Sequence, residues 1–422
     1  MSIQSELMRN AWYYIAGTLL SVVVLLFYQY KVANKNHKPG VKVLFFILSA
    51  LPLFLLSSLR WNVGTDTWHT YTPEYLALKS EAHPLTSEEE QIMVECYQMD
   101  MQHDEGFTAQ QAEAVPIEDI YRYFRTTTLH TAPGFQMLEL ALISMNADVQ
   151  WLYVVTSFII LFFIYASIYI QSDEPAAAVL FFVLTGSYFL SMNIIAQFMA
   201  ISICLFACTF AQKRKLIPFL AFVLLAACFH TSAVVFLPVY ILPKIKVKPL
   251  YCAVLIAVLF LAAPVVFPLA EKLISMIAPQ YVRYFTWESD FEWIFFALGA
   301  AILIAGGYYY EEGKDRSYYR LWYYMNVVGM LALCFSGRIP IIKRINYYFA
   351  APHFLFLPLM ISCEKKPTLQ KILRAVIIGL FAAETFLSIG MMNKNETLPY
   401  QTFFQVDQVE STDILPELLL PE

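Results

Sequence analysis

VKVLFFILSALPLFLLSSLRWNVGTD, residues 41–66, holds both the fold class and the first clue to chemistry. Residues 41–59 are apolar over the length a helix needs to cross a bilayer, about 20 residues. The run then breaks into Arg60-Trp61-Asn62-Val63-Gly64-Thr65-Asp66, with Tyr71 just beyond. A cation, a carboxylate and a flexible glycine at the water boundary suit a phosphorylated, hydroxyl-rich ligand handled at the membrane face.

The rest of the chain repeats that apolar texture. Of 422 residues, 59% are hydrophobic and 14% charged, with a mean hydropathy of +0.56. Soluble domains carry about a quarter charged residues, so the composition defines a polytopic membrane protein. Aromatic residues, 16% of the chain, belong at the interfaces and on lipid-facing surfaces. Six of the seven cysteines lie in or beside apolar runs and only Cys96 sits in a hydrophilic loop, so no disulfide framework is expected. No C-x-x-C or His/Cys cluster suggests a metal. Neither the phosphate-cradling G-x-x-x-x-G-K-[ST] nor the dinucleotide G-x-G-x-x-G is present. No cofactor and no nucleic-acid partner is therefore expected. The first apolar run is followed, not preceded, by its basic flank, unlike a cleavable signal.

Runs of bilayer length recur at about 12–30, 41–59, 150–170, 176–192, 194–212, 250–270, 292–310, 319–335, 345–362 and 372–392. Residues 216–243 are too few for two crossings, which take about 40. They read as a bent hairpin of two short helices turning near His230-Thr231-Ser232, tolerable where it lines a cavity. The expected fold is an all-α bundle of about 10–12 spans, this broken-helix hairpin included. It divides into two first spans (1–60), a long extracytoplasmic loop (61–149), a main bundle (150–392) and a weakly structured external tail (393–422). Basic clusters at 31–42, 213–215, 244–248, 314–320 and 365–374 fall on one side, which the positive-inside rule makes cytoplasmic. The stretch 61–132, with thirteen Asp/Glu against three Lys/Arg, fits the opposite side. Within the loop, Ser87 with Glu88-Glu89-Glu90 has the form of a capping box. Pro133-Gly134-Phe135 opens a helix too short to span.

Charge inside a bilayer costs about 2.5–3.5 kcal/mol at a helix centre, so each persistent polar group is a candidate. Arg60 can grip a phosphate through two nitrogens, and Asp66 can orient or deprotonate a sugar hydroxyl; a mutual salt bridge is the plainer alternative. His230, at the hairpin turn, fits a general base or a hydrogen-bonded packing residue. Asn193 and Gln197, four apart, share a helix face, for substrate contact or interhelical bonding. Arg338, Lys343 and Arg344 lie in an external connection where positive charge is normally sparse. With Tyr347 they make a patch suited to pyrophosphate. Alanine at Arg60 or Asp66 is expected to abolish activity without loss of protein.

Taken in order, these pieces resemble the EpsG-like family of Wzy-type polysaccharide polymerases. The match runs through Arg60-x-x-x-Gly64-Thr65-Asp66 with Tyr71, Pro133-Gly134-Phe135, Gln197-x-x-Ala200, His230-x-Ser232-Ala233 with Pro238 and Tyr240, and Arg344 with Tyr347. Two positions depart from it: Ala132 where an acid usually precedes Pro-Gly-Phe, and Ala196 where an arginine usually precedes the glutamine. The resemblance implies polymerisation of oligosaccharide repeats on undecaprenyl pyrophosphate, at the outer face of the bacterial cytoplasmic membrane, for exopolysaccharide or capsule. It implies partners too: the lipid-linked oligosaccharide, membrane lipids, a chain-length regulator and a flippase. Arg60, Asp66 and His230 would be catalytic, and Tyr71, Asn193, Gln197, Arg338, Lys343, Arg344 and Tyr347 would bind substrate. A membrane glycosyltransferase adding one sugar from a polyprenyl phosphate is the competing enzyme reading. A lipid-linked glycan flippase competes from outside catalysis, although only one broken hairpin is evident where transporters pair two.

Overall fold

The computed structural model describes residues 10–32, 39–101, 111–112, 114–127, 132–277, 291–337 and 341–404. Among these the chain is all-helical, with no strand beyond an isolated bridge between Arg60 and Thr402. Helices α1 (Trp12–Phe27, continuing to Val32) and α2 (Pro39–Ser58) form an antiparallel pair. A cap follows, built from α3 (Thr72–Ala82), α4 (Ser87–Met101), α5 (Ile117–Thr127) and α6 (Pro133–Ser144). The bundle then runs through α7 (Gln150–Gln171), α8 (Pro175–Leu184), α9 (Ser187–Asn193), α10 (Ile195–Gln212) and α11 (Leu216–Phe229). A 3₁₀ helix (Thr231–Lys244) leads into α12 (Pro249–Ile277), α13 (Trp293–Tyr308) and α14 (Tyr319–Leu333). The chain closes with α15 (Ile341–Ala350), α16 (His353–Ile361) and α17 (Pro367–Thr385, continuing to Met391).

Six of these helices are long and apolar enough to cross a bilayer, seven with the bent pair α8–α9. That is fewer than the 10–12 spans expected. The shortfall lies at the two hairpin arms, α13, α14 and the α15–α16 pair, each too short, too polar or broken at Ala351-Pro352 to pass alone. Helix α10 is the hub. Its apolar window is 83% buried, against 17% for α12 and α17, and it packs on α7, α11 and the 3₁₀ helix. The outer faces of α1, α2 and α12 expose leucines, isoleucines and valines such as Leu19, Ile47 and Leu261, as a lipid-facing surface does.

The hairpin turns where expected, at His230, but the second arm is not α-helical. Fourteen residues of α-helix rise about 21 Å, whereas fourteen of 3₁₀ rise about 28 Å. The tighter winding lets a segment too short for two α spans reach further, and Pro238 and Pro243 sit in that arm. Tyr240 returns to the Arg214 carbonyl at 3.0 Å, so the basic clusters on either side of the hairpin share one end. Other contacts join the remaining basic segments there: Lys42 to Tyr169, Arg374 to Glu174, Lys365 to Glu312 and Tyr324 to Val247.

Breaks in buried helices leave backbone groups that must find partners. Between α8 and α9 the chain bends 57° at Gly186, whose φ of +73° favours glycine. The freed Leu184 carbonyl accepts from Thr385 Oγ1 at 2.7 Å. In the cap, the capping box lies one residue earlier than read: Thr86 Oγ1 accepts from the Glu89 N–H, and Glu89 Oε2 accepts from the Thr86 N–H at 2.9 Å. Lys79 pairs with Glu89 at 2.7 Å inside the cap.

Candidate functional site

The second break, between α9 and α10, is where the 60–71 segment docks. Arg60 is 2% exposed. Its guanidinium donates to the Ser57 and Met192 carbonyls and to Ser157 Oγ, and lies 4.8 Å over the Tyr153 ring. Gly64, at φ +103°, passes so close that a Cβ would sit 2.9 Å from the Met192 carbonyl oxygen, a position only glycine fills without strain. The loop is clamped from the other side by the segment that follows α17. The Trp61 N–H donates to the Gln401 carbonyl at 2.9 Å, the Gly64 N–H to Glu396 at 2.9 Å, and the Phe403 N–H to Leu59 at 3.2 Å. Residues 393–404, read as part of a weakly structured tail, are instead packed here, with Thr397, Leu398 and Tyr400 buried.

Arg60 is therefore enclosed by protein groups, with only its Nε left without a partner among the described residues. The Arg60–Asp66 pairing read from the sequence gives way to an arginine held by carbonyls and a hydroxyl, none of them from Asp66. Its charge offsets the partial negative charge at the buried carbonyl end of α9.

The remaining motif residues converge just beyond it. Asn193 Oδ1 accepts from the Asp66 N–H at 2.8 Å, and the Tyr71 hydroxyl accepts from the Ala196 N–H at 3.0 Å, satisfying a donor at the start of α10. Gln197 Nε2 donates to the Arg344 carbonyl at 2.6 Å, fixing α15 against α10. His230 Nδ1 and Ser232 Oγ are 2.6 Å apart, and Ser232 Oγ is 3.0 Å from the Tyr348 hydroxyl. That relay orients the imidazole and leaves Nε2 as its other ring nitrogen. Phe135 packs on Tyr71, ring centroids 5.5 Å apart. Gly134 lets α6 press onto the end of α11, where a Cβ would meet the Cys228 carbonyl at 2.8 Å. Five segments far apart in sequence thus meet at one end of the bundle.

Exposure sorts their roles. Tyr71 and Gln197 are buried, Asp66 and His230 are half-buried, and Arg344 is exposed, with no side-chain bond or ion pair among the described residues. The Asp66 carboxylate and the Arg344 guanidinium act together on the phenols of Tyr71 and Tyr347. Burial raises the Tyr71 pKa first and Asp66 adds to it, so the phenol stays protonated. Lys343, one residue from Arg344, is compensated by Glu292 at 2.5 Å and is less available to a phosphate than the sequence implied. Arg338 lies outside the described residues.

A family model, described as the EpsG family, matches residues 43–402. The chain belongs to the EpsG family. This is the family of Wzy-like polysaccharide polymerases, and the matched region runs from inside α2 to Thr402, the residue bridged to Arg60. Neither a curated protein nor a solved structure matches the chain. As an EpsG-family chain it is a multi-pass membrane protein of the polysaccharide-polymerase type.

Sequence reasoning missed Tyr153 and Ser157, which hold Arg60, and Glu74 and Glu139 inside the cap. Glu139 is fully buried, and neither carboxylate oxygen has a partner among the described residues. Burial, with Glu74 beside it, pushes its pKa up to about 9. A lone glutamate in the apolar run after Pro133-Gly134-Phe135 was the available signal.

Proposed function

We propose that this chain joins oligosaccharide repeats carried on a polyprenyl pyrophosphate into a polymer at the outer face of the bacterial cytoplasmic membrane. The observation that carries the reading is the meeting of Asp66, His230 and Arg344 at the end of the bundle opposite its basic clusters. It puts a carboxylate, an oriented imidazole and an available cation around one surface. In the reaction, a hydroxyl oxygen of one repeat attacks the anomeric carbon of another, forming the glycosidic bond. The bond from that carbon to the pyrophosphate breaks, and its electron pair leaves with the lipid pyrophosphate. Asp66 or His230 takes the hydroxyl proton. Arg344 stabilises the charge growing on the departing pyrophosphate, while Arg60 holds the loop that carries Asp66. Attack opposite the leaving group inverts the anomeric centre. The leaving group is already activated, so the chemistry requires neither ATP nor a metal. A flippase supplying the lipid-linked repeats and a chain-length regulator complete the scheme.

Purified protein incubated with its host's lipid pyrophosphate-linked repeat tests this reading. A ladder spaced by one repeat, with free lipid pyrophosphate, is expected. A single added sugar from a polyprenyl-phosphate donor would replace it with the one-addition reading.

A further inference from the structure

Tyr347 also lines a hollow in the bundle. It is a cavity of about 110 Å³ bounded by the α8–α9 bend, by α13 to α16 and by the end of α17. A buried water needs at least about 10–15 Å³, so this space accepts roughly seven to eleven water-sized groups, close to a six-membered sugar ring with its hydroxyls. Phe295 and Tyr347 supply aromatic faces, and Asn326, Asn346, His353 and Glu384 supply polar groups.

Asn346 carries the argument. It is 4% exposed and lines the cavity, yet its amide makes no hydrogen bond among the described residues. Buried amides are rarely left unsatisfied, and this one has a donor and an acceptor unspent. Gly329 keeps room for it: a Cβ there would come 2.6 Å from Asn346 Oδ1. Asn326, by contrast, is bonded through both ends of its amide. Its Nδ2 donates to the Gly299 carbonyl at 3.0 Å, and its Oδ1 accepts from His353 Nε2 at 2.9 Å. That places a ring proton on Nε2 and leaves Nδ1 to accept in the neutral ring.

Charge decides the class of ligand. Lys394, 5.0 Å from the Phe295 ring centroid, faces the Glu384 carboxylate within electrostatic reach. One cation against one carboxylate leaves no field for a pyrophosphate. Amides, an imidazole and aromatic faces suit an uncharged polyol instead.

We propose that this cavity is a saccharide subsite, holding one neutral, hydroxyl-rich ring of the glycan beside the Asp66–Arg344 site, with Tyr347 as their shared wall. The proposal rests on the polymerase reading for the identity of the glycan, but binding can be measured without polymerisation. The probe is the host's repeat oligosaccharide freed from its lipid, titrated by calorimetry and saturation-transfer NMR onto the full chain in nanodiscs. Wild type should bind it, and Asn346→Leu should weaken binding about tenfold, the worth of a hydrogen bond, without lowering the melting temperature. Asn346→Ala, which only removes atoms, serves if the leucine variant melts early. Gly329→Ala, which crowds the amide, should weaken binding in the same direction. Polyprenyl pyrophosphate without sugar should bind all of these alike. No binding by wild type, or equal affinity in both Asn346 variants, overturns the proposal. Oligosaccharide binding without any ladder from the lipid-linked repeat would sink the polymerase reading and leave this subsite standing.

Discussion

Arg60 and Arg344 look equivalent in sequence: each is an arginine at an apolar segment's edge, in a motif that resembles the same family. In the structure they are opposites. Arg60 is sealed, with hydrogen bonds to two carbonyls and a hydroxyl and a ring beneath it. Arg344 is exposed, and its side chain has no bonded partner among the described residues. A cation used to hold a fold spends its terminal donors on protein acceptors. A cation used to hold a phosphate must keep its donors unspent until the phosphate arrives. The cap and clamped loop around Arg60 form the frame, and in the proposed reaction the face bearing Arg344, Asp66 and His230 is the working surface.

Breaking the frame should have the largest effect. Arg60→Ala strands the Met192 and Ser57 carbonyls and empties a buried site; hydrogen bonds to charged groups are worth about 1.5–3 kcal/mol each. Loss of monodisperse, membrane-inserted protein on fluorescence-detected size exclusion is the expected outcome, in place of the inert but stable protein that sequence reasoning anticipated. A well-folded Arg60→Ala protein lacking activity would return Arg60 to the working surface.

On that surface the same logic predicts stable but inactive variants. Asp66→Asn keeps the backbone bond to Asn193 and should lower the polymerisation rate about 10²–10⁴-fold if Asp66 is the base. Rates for His230→Gln, measured alongside, name the base by the larger loss. Arg344→Ala should cost about 10²–10³-fold at an unchanged melting temperature, with Arg344→Lys partly restoring activity.

Glu139 sharpens the picture of the frame through pH. Its pKa is raised to about 9 in the folded chain, against about 4.3 when unfolded, so the folded state holds the proton more tightly. Its contribution is fully present below about pH 4.3 and is lost as pH rises toward 9. Melting temperature should therefore fall from pH 5 to pH 9, and Glu139→Gln should flatten that slope. The smallest effect is expected next to Arg344: Lys343→Ala, whose charge is already met by Glu292, should change the rate less than about threefold, a single ion pair near the surface being worth about 0–1 kcal/mol.

Much of the fold was legible because a bilayer reads composition directly. Runs such as 41–59 and 150–170 became α2 and α7 within two residues. What failed depended on geometry that hydropathy does not encode. The hairpin reached further than α-helical arithmetic allowed because its second arm is 3₁₀. The span read at 345–362 is divided at Pro352. For the site, the motifs were readable but their division of labour was not. The groups that bury Arg60 are backbone carbonyls and residues of α7 and α9, and a carbonyl freed by a distant break has no letter in the sequence. Segment 393–404 was unreadable as a clamp because its bonds to the loop are made by main chain, which any residues could supply.

The most direct test of the account is the glycan size distribution made from the lipid pyrophosphate-linked repeat by wild-type and Asp66→Asn protein of equal melting temperature. Wild type should give a ladder spaced by one repeat, and the variant none. A full ladder from Asp66→Asn would contradict it, and would move the chemistry away from the surface where these five segments meet.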